Sequence, residues 1–269
     1  MGARADLLQA DVLRRSGKSA EADQMLRSAT NKLANLETFF SADTALAVAE
    51  QLREAGVQPG PIVLEPCRRN TAPAAALAAL ILLRDDANAI MLLAPSDHAI
   101  GKPEAFATAI STGLKAATQG KLVTFGVVPD HPATGYGYIK KSGALDGAEG
   151  CFAIDHFAEK PDAETAEQYH SAGTYLWNSG IFLFAAARYI EILEDRRPDI
   201  VSQCRRAVEG GRDDLDFFRP DDRSFEACPA DSIDYAVMEK AASVLVLESG
   251  FDWDDVGEWP AVARHFPHD

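Results

Sequence analysis

The middle of the chain alternates short apolar runs with helical patterns, and this alternation restricts the fold more than any other feature. Ile62–Leu64, Ala89–Ala94 and Leu122–Val128 have the length and composition of strands covered on both faces. Between them lie an Ala- and Leu-rich stretch, Ala74–Arg84, and a segment that opens at Pro103, both helical in pattern. This order predicts an α/β fold with a mostly parallel central sheet flanked by helices.

The remaining sequence predicts further elements and a change of character near residue 40. Strands are predicted at 152–157, 181–184 and 243–247, and helices at 163–172, 189–194 and 233–242. Residues 1–40 are rich in Leu, Ala, Arg and Glu at loosely helical spacing, without a strand pattern. We therefore predict an atypical helical N-terminal segment over residues 1–40 and one domain over residues 41–269.

Charge and composition restrict the class of partner. The chain has 41 Asp and Glu residues against 26 Lys and Arg residues, a net charge of −15. Nucleic acids and anionic membranes need exposed Lys and Arg, so neither is expected as a partner, although the charge can equally serve solubility alone. The longest apolar run, Ala72–Leu83, is too short to span a membrane, and the first forty residues contain no secretory signal pattern. These features predict a cytoplasmic protein.

Two polar segments follow predicted strands, where open α/β sheets bind ligands. In the first, Ser96 and Asp97 follow the most apolar strand, and the Asp97 carboxylate is suited to a hard cation such as Mg²⁺. The second runs from Glu65 to Thr71 and opens the Ala-rich helix, where its side chains and free N–H groups could bind a base edge or a phosphate. A turn or helix cap is the alternative for the first segment, and a surface helix cap is the simpler explanation of the second when it is taken alone.

Three later segments add groups suited to a phosphorylated, hydroxyl-rich ligand. Gly137 allows a ligand to approach the backbone closely, and Glu159 and Lys160 could bind a hydroxyl and a phosphate. Asn178 can both donate and accept, as hydroxyl recognition requires, and the carboxylates of Asp252, Asp254 and Asp255 could complete a metal site. A hairpin turn and exposed turn acids are the alternatives that the sequence leaves open.

Taken together and in order, these segments resemble the sugar-phosphate nucleotidyltransferases, specifically the bacterial mannose-1-phosphate guanylyltransferases. The matching segments are AEQLREAG (49–56), LEPCRRNTAPA (64–74), LLAPSDHAI (92–100), FGVVPDHPATGYGYI (125–139), FAEKPD (157–162), YLWNSGIFLF (175–184), SIDYAVMEKA (232–241) and DWDDVGEW (252–259). The resemblance implies a Rossmann-like domain that joins GTP and mannose 1-phosphate into GDP-mannose and pyrophosphate with Mg²⁺.

The resemblance also implies a role for each motif residue. The expected metal ligands are Asp97 and Asp255, and the expected catalytic residues are Asp97 and Lys160. The expected nucleotide-binding residues are Glu65, Arg69, Asn70, Thr71 and Ser96. The expected sugar-binding residues are Gly137, Tyr138, Glu159 and Asn178. GTP, mannose 1-phosphate and GDP-mannose are therefore the expected ligands.

The resemblance is incomplete on the N-terminal side. The family opens with a strand and a Gly-rich loop of the form GGxGxRLWPLSR that cradles the triphosphate, and residues 1–40 contain no such segment. Arg68 stands where the family usually has Gly, and Glu258 stands where Ser is typical. We therefore expect helices in place of the first strand and impaired catalysis.

Two alternatives to an impaired enzyme stay open. The chain could be a non-catalytic sugar-nucleotide-binding or regulatory module that associates with an intact relative, or could form a homo-oligomer. Residues 1–40 could also derive from a disrupted reading frame, in which case the product would fold poorly.

Overall fold

The computed structural model describes residues 49–96, 98–145, 150–241 and 243–256. The N-terminal segment over residues 1–40, Asp97 and Glu258 lie outside these ranges, so the predictions made for them, and the domain boundary at residue 40, stay predictions. Within the described residues, none of the helices combines the length and the apolarity that crossing a bilayer requires.

A six-stranded sheet forms the centre of the fold, with helices on both faces. Its strands are β2 (Ile90–Leu93), β4 (Leu122–Val127), β5 (Tyr138–Ala144), β6 (Cys151–Ala158), β7 (Tyr175–Ala185) and β10 (Val244–Ser249), in the order β2-β7-β4-β10-β6-β5. Two smaller sheets contain β1 (Ile62–Val63), β9 (Phe217–Arg219) and β8 (Arg212–Asp214), and β11 (Trp253–Asp254) with β3 (Ala99–Ile100). The predicted α/β class is confirmed.

The central sheet is mixed rather than mostly parallel. Strands β4 and β10 pair in parallel, whereas β7 pairs antiparallel with β2, β4 and β5, and β6 pairs antiparallel with β5 and β10. Strands β2 and β4 do run in the same direction, as the early alternation predicts, but β7 lies between them. The prediction of a mostly parallel sheet is therefore corrected, because local pattern does not show which later strand inserts between two earlier ones.

Strand β7 also closes part of the sheet into a ring. Its first residues pair with β5, and β7 also pairs with β4. Because β4, β10, β6 and β5 pair in that order, these five strands form a closed ring, and β2 pairs with the last residues of β7 outside it. Leu176 and Val246 are buried together in a cluster that also includes Ile139. A Cβ on Gly126 would lie 2.6 Å from side-chain atoms of both Leu176 and Val246, so the cluster requires glycine there.

The helices cover the two faces of the sheet with separate apolar clusters. The helices are α1 (Thr71–Asp85), α2 (Pro103–Ala117), α3 (Ala163–Ala172), α4 (Ala186–Arg196), α5 (Pro198–Glu209) and α6 (Asp222–Glu226). Helix α1 is the predicted Ala-rich helix and is buried along most of its length against α4 and α5. Helix α2 covers the other face, where its Ile110 joins the cluster of Phe125 and Leu183. Within the described residues, helices thus pack on both faces of the sheet.

Two helical segments differ from their predicted form. The helix predicted at 189–194 is α4, which is longer at both ends and stops before Pro198; Pro198 begins α5, where its missing N–H is not needed. The predicted helix at 233–242 is a short π-helical segment, Asp234–Met238. The Ser232 hydroxyl accepts a hydrogen bond from the backbone N–H of Tyr235, as the side chain of a helix N-cap does.

Candidate active site

A cleft of about 430 Å³ opens between strands β2, β5, β6 and β7, the start of α1 and the short strand β11. Six of the residues that the sequence predicts for the site line this cleft: Thr71, Ser96, Gly137, Glu159, Asn178 and Asp255. The structure therefore brings together side chains that are as much as 184 positions apart in the printed sequence (71 to 255). A cleft of this volume is suited to a small-molecule ligand.

A bulge in β7 directs Asn178 toward the cleft. Gly126 of β4 lies opposite Asn178 and Thr124 lies opposite Phe182, so three residues of β7 face one residue of β4. Gly180, within this bulge, has a φ of 68°, a left-handed conformation that glycine adopts without strain. Bulges of this type bend a strand and redirect its side chains, commonly beside active sites.

The Asn178 side chain is held by neighbours on three sides. Its Oδ1 accepts hydrogen bonds from the Gly180 backbone N–H at 3.3 Å and from the buried Thr124 hydroxyl at 3.2 Å. Its Nδ2 donates to Oδ1 of Asp234 at 2.9 Å. Because the Gly180 N–H can only donate, the amide has a defined orientation.

Gly137 and Glu159 meet through the pairing of β5 with β6. Tyr138 pairs with Ala158, which places Gly137 and Glu159 side by side at the strand ends. A Cβ on Gly137 would lie 2.7 Å from Oε2 of Glu159, so glycine leaves the carboxylate room to lie across the backbone. The Gly137 carbonyl also accepts a hydrogen bond from the backbone N–H of Asn178 at 2.8 Å. These contacts form one polar wall of the cleft.

Carboxylates near this wall influence one another. Burial raises the pKa of Asp234, and the neighbouring Glu159 charge raises it further, whereas the hydrogen bond from Asn178 lowers it. Burial also raises the pKa of Glu239, with a smaller contribution from Asp234. The wall therefore presents hydrogen-bond acceptors at a site that holds an excess of negative charge.

Lys160 lies beside the cleft rather than in its lining. Its Nζ is 3.5 Å from Oε1 of Glu159, and its side chain is 65% exposed. Its φ of 44° is a strained conformation for a residue with a side chain, which is often found at functional positions. The ammonium group is thus available to a phosphate at the mouth of the cleft.

Asp255 lies on the opposite side of the cleft, after β11. Its Oδ1 accepts a hydrogen bond from the Tyr136 hydroxyl at 3.2 Å, and Tyr136 packs against Trp253. The Trp253 Nε1 donates to Nδ1 of His98 at 3.0 Å.

Among the described residues no group of three potential ligands is arranged for a metal, and Asp97, the other predicted ligand, lies outside them. The oxygen donors that line the cleft are nevertheless of the type that Mg²⁺ prefers, and Mg²⁺ often needs only one or two protein carboxylates beside substrate phosphates.

The start of α1 contributes less directly than the sequence predicts. Asn70 caps the helix, since its Oδ1 accepts a hydrogen bond from the Thr71 N–H at 2.8 Å, and its φ of 68° turns the chain there. The Thr71 hydroxyl accepts a hydrogen bond from the Ile233 N–H at 2.9 Å. Thr71 and Ser96 line the cleft, and Asn70 does not.

Three further predicted residues lie away from this cleft. The Arg69 guanidinium donates to the backbone carbonyls of Phe225 and Glu226, at the end of α6. Tyr138 is fully buried, and its hydroxyl donates to the Ala133 carbonyl at 2.9 Å. Glu65 lies beneath α1 with a buried Oε1 that has no partner within the described chain, and burial raises its pKa to about 7.

The sequence reasoning missed Asp234 as a site residue. Asp234 lies within the motif SIDYAVMEKA, whose pattern predicts the start of a helix. Nothing in that local pattern distinguishes a carboxylate in a helix from one in a ligand cleft. The short π-helical segment and the bulge in β7 together bring it to Asn178, and neither is visible in the sequence.

Comparison with known proteins gives the family. The profile of the family described as nucleotidyl transferase matches residues 22–269. Over 227 residues the chain is 48% identical to the mannose-1-phosphate guanylyltransferase ManC of Salmonella typhimurium, an alignment that covers 82% of this chain and 47% of that protein. Over 214 residues it is 50% identical to the xanthan biosynthesis protein XanB of Xanthomonas campestris, with 80% and 45% covered.

A solved structure agrees with these relatives. The crystal structure described as mannose-1-phosphate geranyltransferase from Thermus thermophilus superposes with a TM-score of 0.70 and 32% identity, and covers 91% of this chain and 70% of that one. The chain spans about half the length of the curated relatives it matches. Sequence and fold therefore agree that this chain belongs to the nucleotidyl transferase family of enzymes.

Proposed function

We propose that the chain is a mannose-1-phosphate guanylyltransferase, which transfers a guanylyl group from GTP to mannose 1-phosphate and releases pyrophosphate. The observation that supports this most strongly is the polar wall of the cleft, where Glu159 and Asn178 present groups suited to sugar hydroxyls. Relatives that are about half identical over most of this chain carry the name of that activity.

In this proposal the protein acts by positioning and by neutralising charge. The sugar lies against Gly137, Glu159 and Asn178, and the Lys160 ammonium holds its phosphate at the mouth of the cleft. The phosphate of the sugar then faces the α-phosphorus of the nucleotide for in-line attack. Orientation of two reactants in this way replaces a bimolecular encounter with an effectively unimolecular step.

We propose Mg²⁺ as the cofactor, with Asp255 and Asp97 as its protein ligands. The ion would neutralise negative charge on the nucleotide phosphates. The Tyr136 hydroxyl bonds one oxygen of the Asp255 carboxylate and orients it along the cleft. Such orientation of a ligand by a neighbour supports metal binding.

The finer proposal is that turnover by this chain is slow. Residues 1–40 contain neither a Gly-rich segment of the GGxGxRL type nor the PKQF-like segment that follows it in the family, whose N–H groups, Arg and Lys would counter charge on the leaving pyrophosphate. Removing such contacts from a transferred phosphoryl group lowers rates by roughly 10³-fold or more. A cytoplasmic location and self-association stay predictions from the sequence.

A non-catalytic sugar-nucleotide-binding module is the second candidate. It is favoured by one observation, namely that the hydrogen-bonded wall around Asn178 is formed entirely by residues between positions 124 and 234. Such a wall could bind a sugar phosphate or GDP-mannose whether or not nucleotidyl transfer follows.

The test is to incubate the purified chain with GTP, mannose 1-phosphate and Mg²⁺, to follow pyrophosphate release, and to measure mannose 1-phosphate binding by calorimetry. Slow release that Asp255→Asn abolishes and Asp252→Asn preserves would support the proposal, because Asp252 lies on the other side of β11 in the sequence and forms an exposed ion pair with Lys102. Turnover at ordinary enzyme rates would overturn the impairment. Binding without turnover would favour the module, and neither binding nor turnover would contradict both.

A further inference from the structure

Among the described residues, Asp234 is the one carboxylate at the polar wall that bonds directly to Asn178. It is half-buried, lines the cleft and lies on the opposite side of Asn178 from Thr124. Neither the motif pattern nor the family resemblance, as applied to this sequence, assigned it a role. What it can do follows from counting the hydrogen-bonding groups around the Asn178 amide.

The Asn178 amide has two acceptor positions and two donor hydrogens. The Gly180 N–H occupies one acceptor position, and the Thr124 hydroxyl, which also faces the Ile181 carbonyl, occupies the other. Asp234 accepts one donor hydrogen. One N–H therefore remains, so Asn178 can only donate to a ligand in the cleft.

The neighbouring carboxylates of Asp234 and Glu159 present hydrogen-bond acceptors rather than donors to the cleft. Asp234 uses Oδ1 for Asn178, and no other side chain of the described residues bonds to its second oxygen. Glu159 lies near enough to Asp234 to raise its pKa. An ionised carboxylate can only accept, so a ligand must bring hydroxyl hydrogens to this side of the wall.

A sugar with adjacent hydroxyls meets both requirements at once. The oxygen of one hydroxyl accepts from the Asn178 N–H, while a hydroxyl hydrogen reaches a carboxylate beside it. We propose that Asp234 is a positioning and specificity-determining residue of the sugar subsite, with one carboxylate oxygen holding the Asn178 amide and the other accepting from a sugar hydroxyl. This inference rests on the proposed function, since it assigns a sugar phosphate to the cleft.

The test compares two substitutions of Asp234 against sugars that lack single hydroxyls. Asp234→Asn keeps an acceptor for Asn178 but replaces the second oxygen with a donor, and Asp234→Ala removes both. The ligands are mannose 1-phosphate and its 2-, 3- and 4-deoxy analogues, and calorimetry measures each affinity. Asp195→Asn is the matched control, because Asp195 is an exposed acid of helix α4 that does not line the cleft.

We expect Asp234→Asn to weaken mannose 1-phosphate binding by about 10-fold or more, as loss of a hydrogen bond to a charged group does. For one deoxy analogue, the affinities of Asp234→Asn and the unsubstituted protein should converge, because the hydroxyl that Asp234 accepts from is missing. We expect Asp234→Ala to bind more weakly than Asp234→Asn, and Asp195→Asn to bind normally. A thermal unfolding midpoint for each variant separates these effects from loss of the fold.

Two outcomes would overturn the inference, and they differ. In the first, the unsubstituted protein binds mannose 1-phosphate, and Asp234→Asn lowers the affinity for all four sugars equally or for none of them. Asp234 then accepts no hydrogen bond from a sugar hydroxyl, and the proposed function stands. If the unsubstituted protein binds none of the sugars, the proposed function fails together with this inference.

Discussion

The sugar side and the nucleotide side of the predicted site differ in how their polar groups are satisfied. On the sugar side Asn178 bonds to Thr124, Gly180 and Asp234, and all but Thr124 line one cleft. On the nucleotide side Arg69 binds the end of a helix, and Glu65 has a buried oxygen without a partner in the described chain.

The two sides differ because different structural elements fix the positions of their residues. The sugar side is attached to paired strands, whose register fixes each side chain relative to the next. The nucleotide side lies at a helix start, where the same residue types serve as caps and end contacts. A polar residue after a strand is thus a site candidate in both places, but of the five predicted nucleotide-binding residues only Thr71 and Ser96 line the cleft.

Replacing Asn178 with Leu should break the sugar side with the largest effect. The Thr124 hydroxyl and the Asp234 carboxylate would lose a partner, which we expect to lower the free energy of unfolding by about 3 kcal/mol. Affinity for mannose 1-phosphate should fall by at least ~100-fold. Denaturant unfolding and calorimetry measure the two effects, and Asn88→Leu, in an exposed turn, is the control. Unchanged sugar binding would show that Asn178 does not contact the ligand.

Replacing Glu65 with Gln should stabilise the nucleotide side. Its folded pKa of about 7 lies above the unfolded value of 4.5, so ionisation above pH 7 opposes folding. We expect Glu65→Gln to raise the free energy of unfolding at pH 8 by up to about 3 kcal/mol. The gain should shrink as the pH falls toward 4.5, where the unsubstituted carboxyl is protonated in both states.

Urea unfolding at pH 8, 6 and 5 measures this effect, with the exposed Glu54→Gln as control. A gain that does not change with pH would contradict the burial of an ionisable, unpartnered Glu65.

Replacing Arg69 with Met should separate a structural role from the predicted nucleotide-binding role. Loss of its bonds to the Phe225 and Glu226 carbonyls should lower the free energy of unfolding by about 1–2 kcal/mol. The adjacent exposed Arg68→Met should change it little. A weaker GTP affinity with unchanged stability would instead favour the nucleotide role.

Replacing Gly180 with Ala should have the smallest effect on stability, and it tests whether the bulge in β7 requires glycine at this position. An added Cβ would have room, since the nearest atom is 3.8 Å away, but the φ of 68° should destabilise the protein by about 1 kcal/mol. Gly135→Ala is the matched control, because Gly135 also lines the cleft and has neither close neighbours nor a left-handed φ. Equal thermal midpoints for the two variants would argue against strain at Gly180.

The elements that follow from local composition were predictable. Helix α3 spans the residues predicted for it, and the Ala-rich helix extends only a few positions beyond its predicted ends. Strand β5 was missed because its sequence, YIKKSGA, is polar over most of its length. Its pairing with both β6 and β7, rather than its own pattern, makes it a strand.

The site was predictable as a set of motifs but not as a geometry. The sequence identifies Glu159 by its position at the end of β6, whereas Asn178 lies inside β7 and is identified by its amide group. Asp234 depends on a π-helical turn packed against a bulge, and these are tertiary features. Arg69 is the opposite case. It lies in a motif predicted to bind the nucleotide, but its guanidinium bonds to a backbone carbonyl at the end of α6.

The insertion of β10 between β4 and β6 bears on how the protein forms during synthesis. Strand β10 is synthesised after β4 and β6, yet it supplies the hydrogen-bonded partner for one edge of each of them. Until the ribosome releases that stretch, β4 and β6 each expose an unpaired edge, and such edges invite association with other nascent chains. Chains that terminate before residue 244 should therefore aggregate rather than accumulate as a smaller folded product.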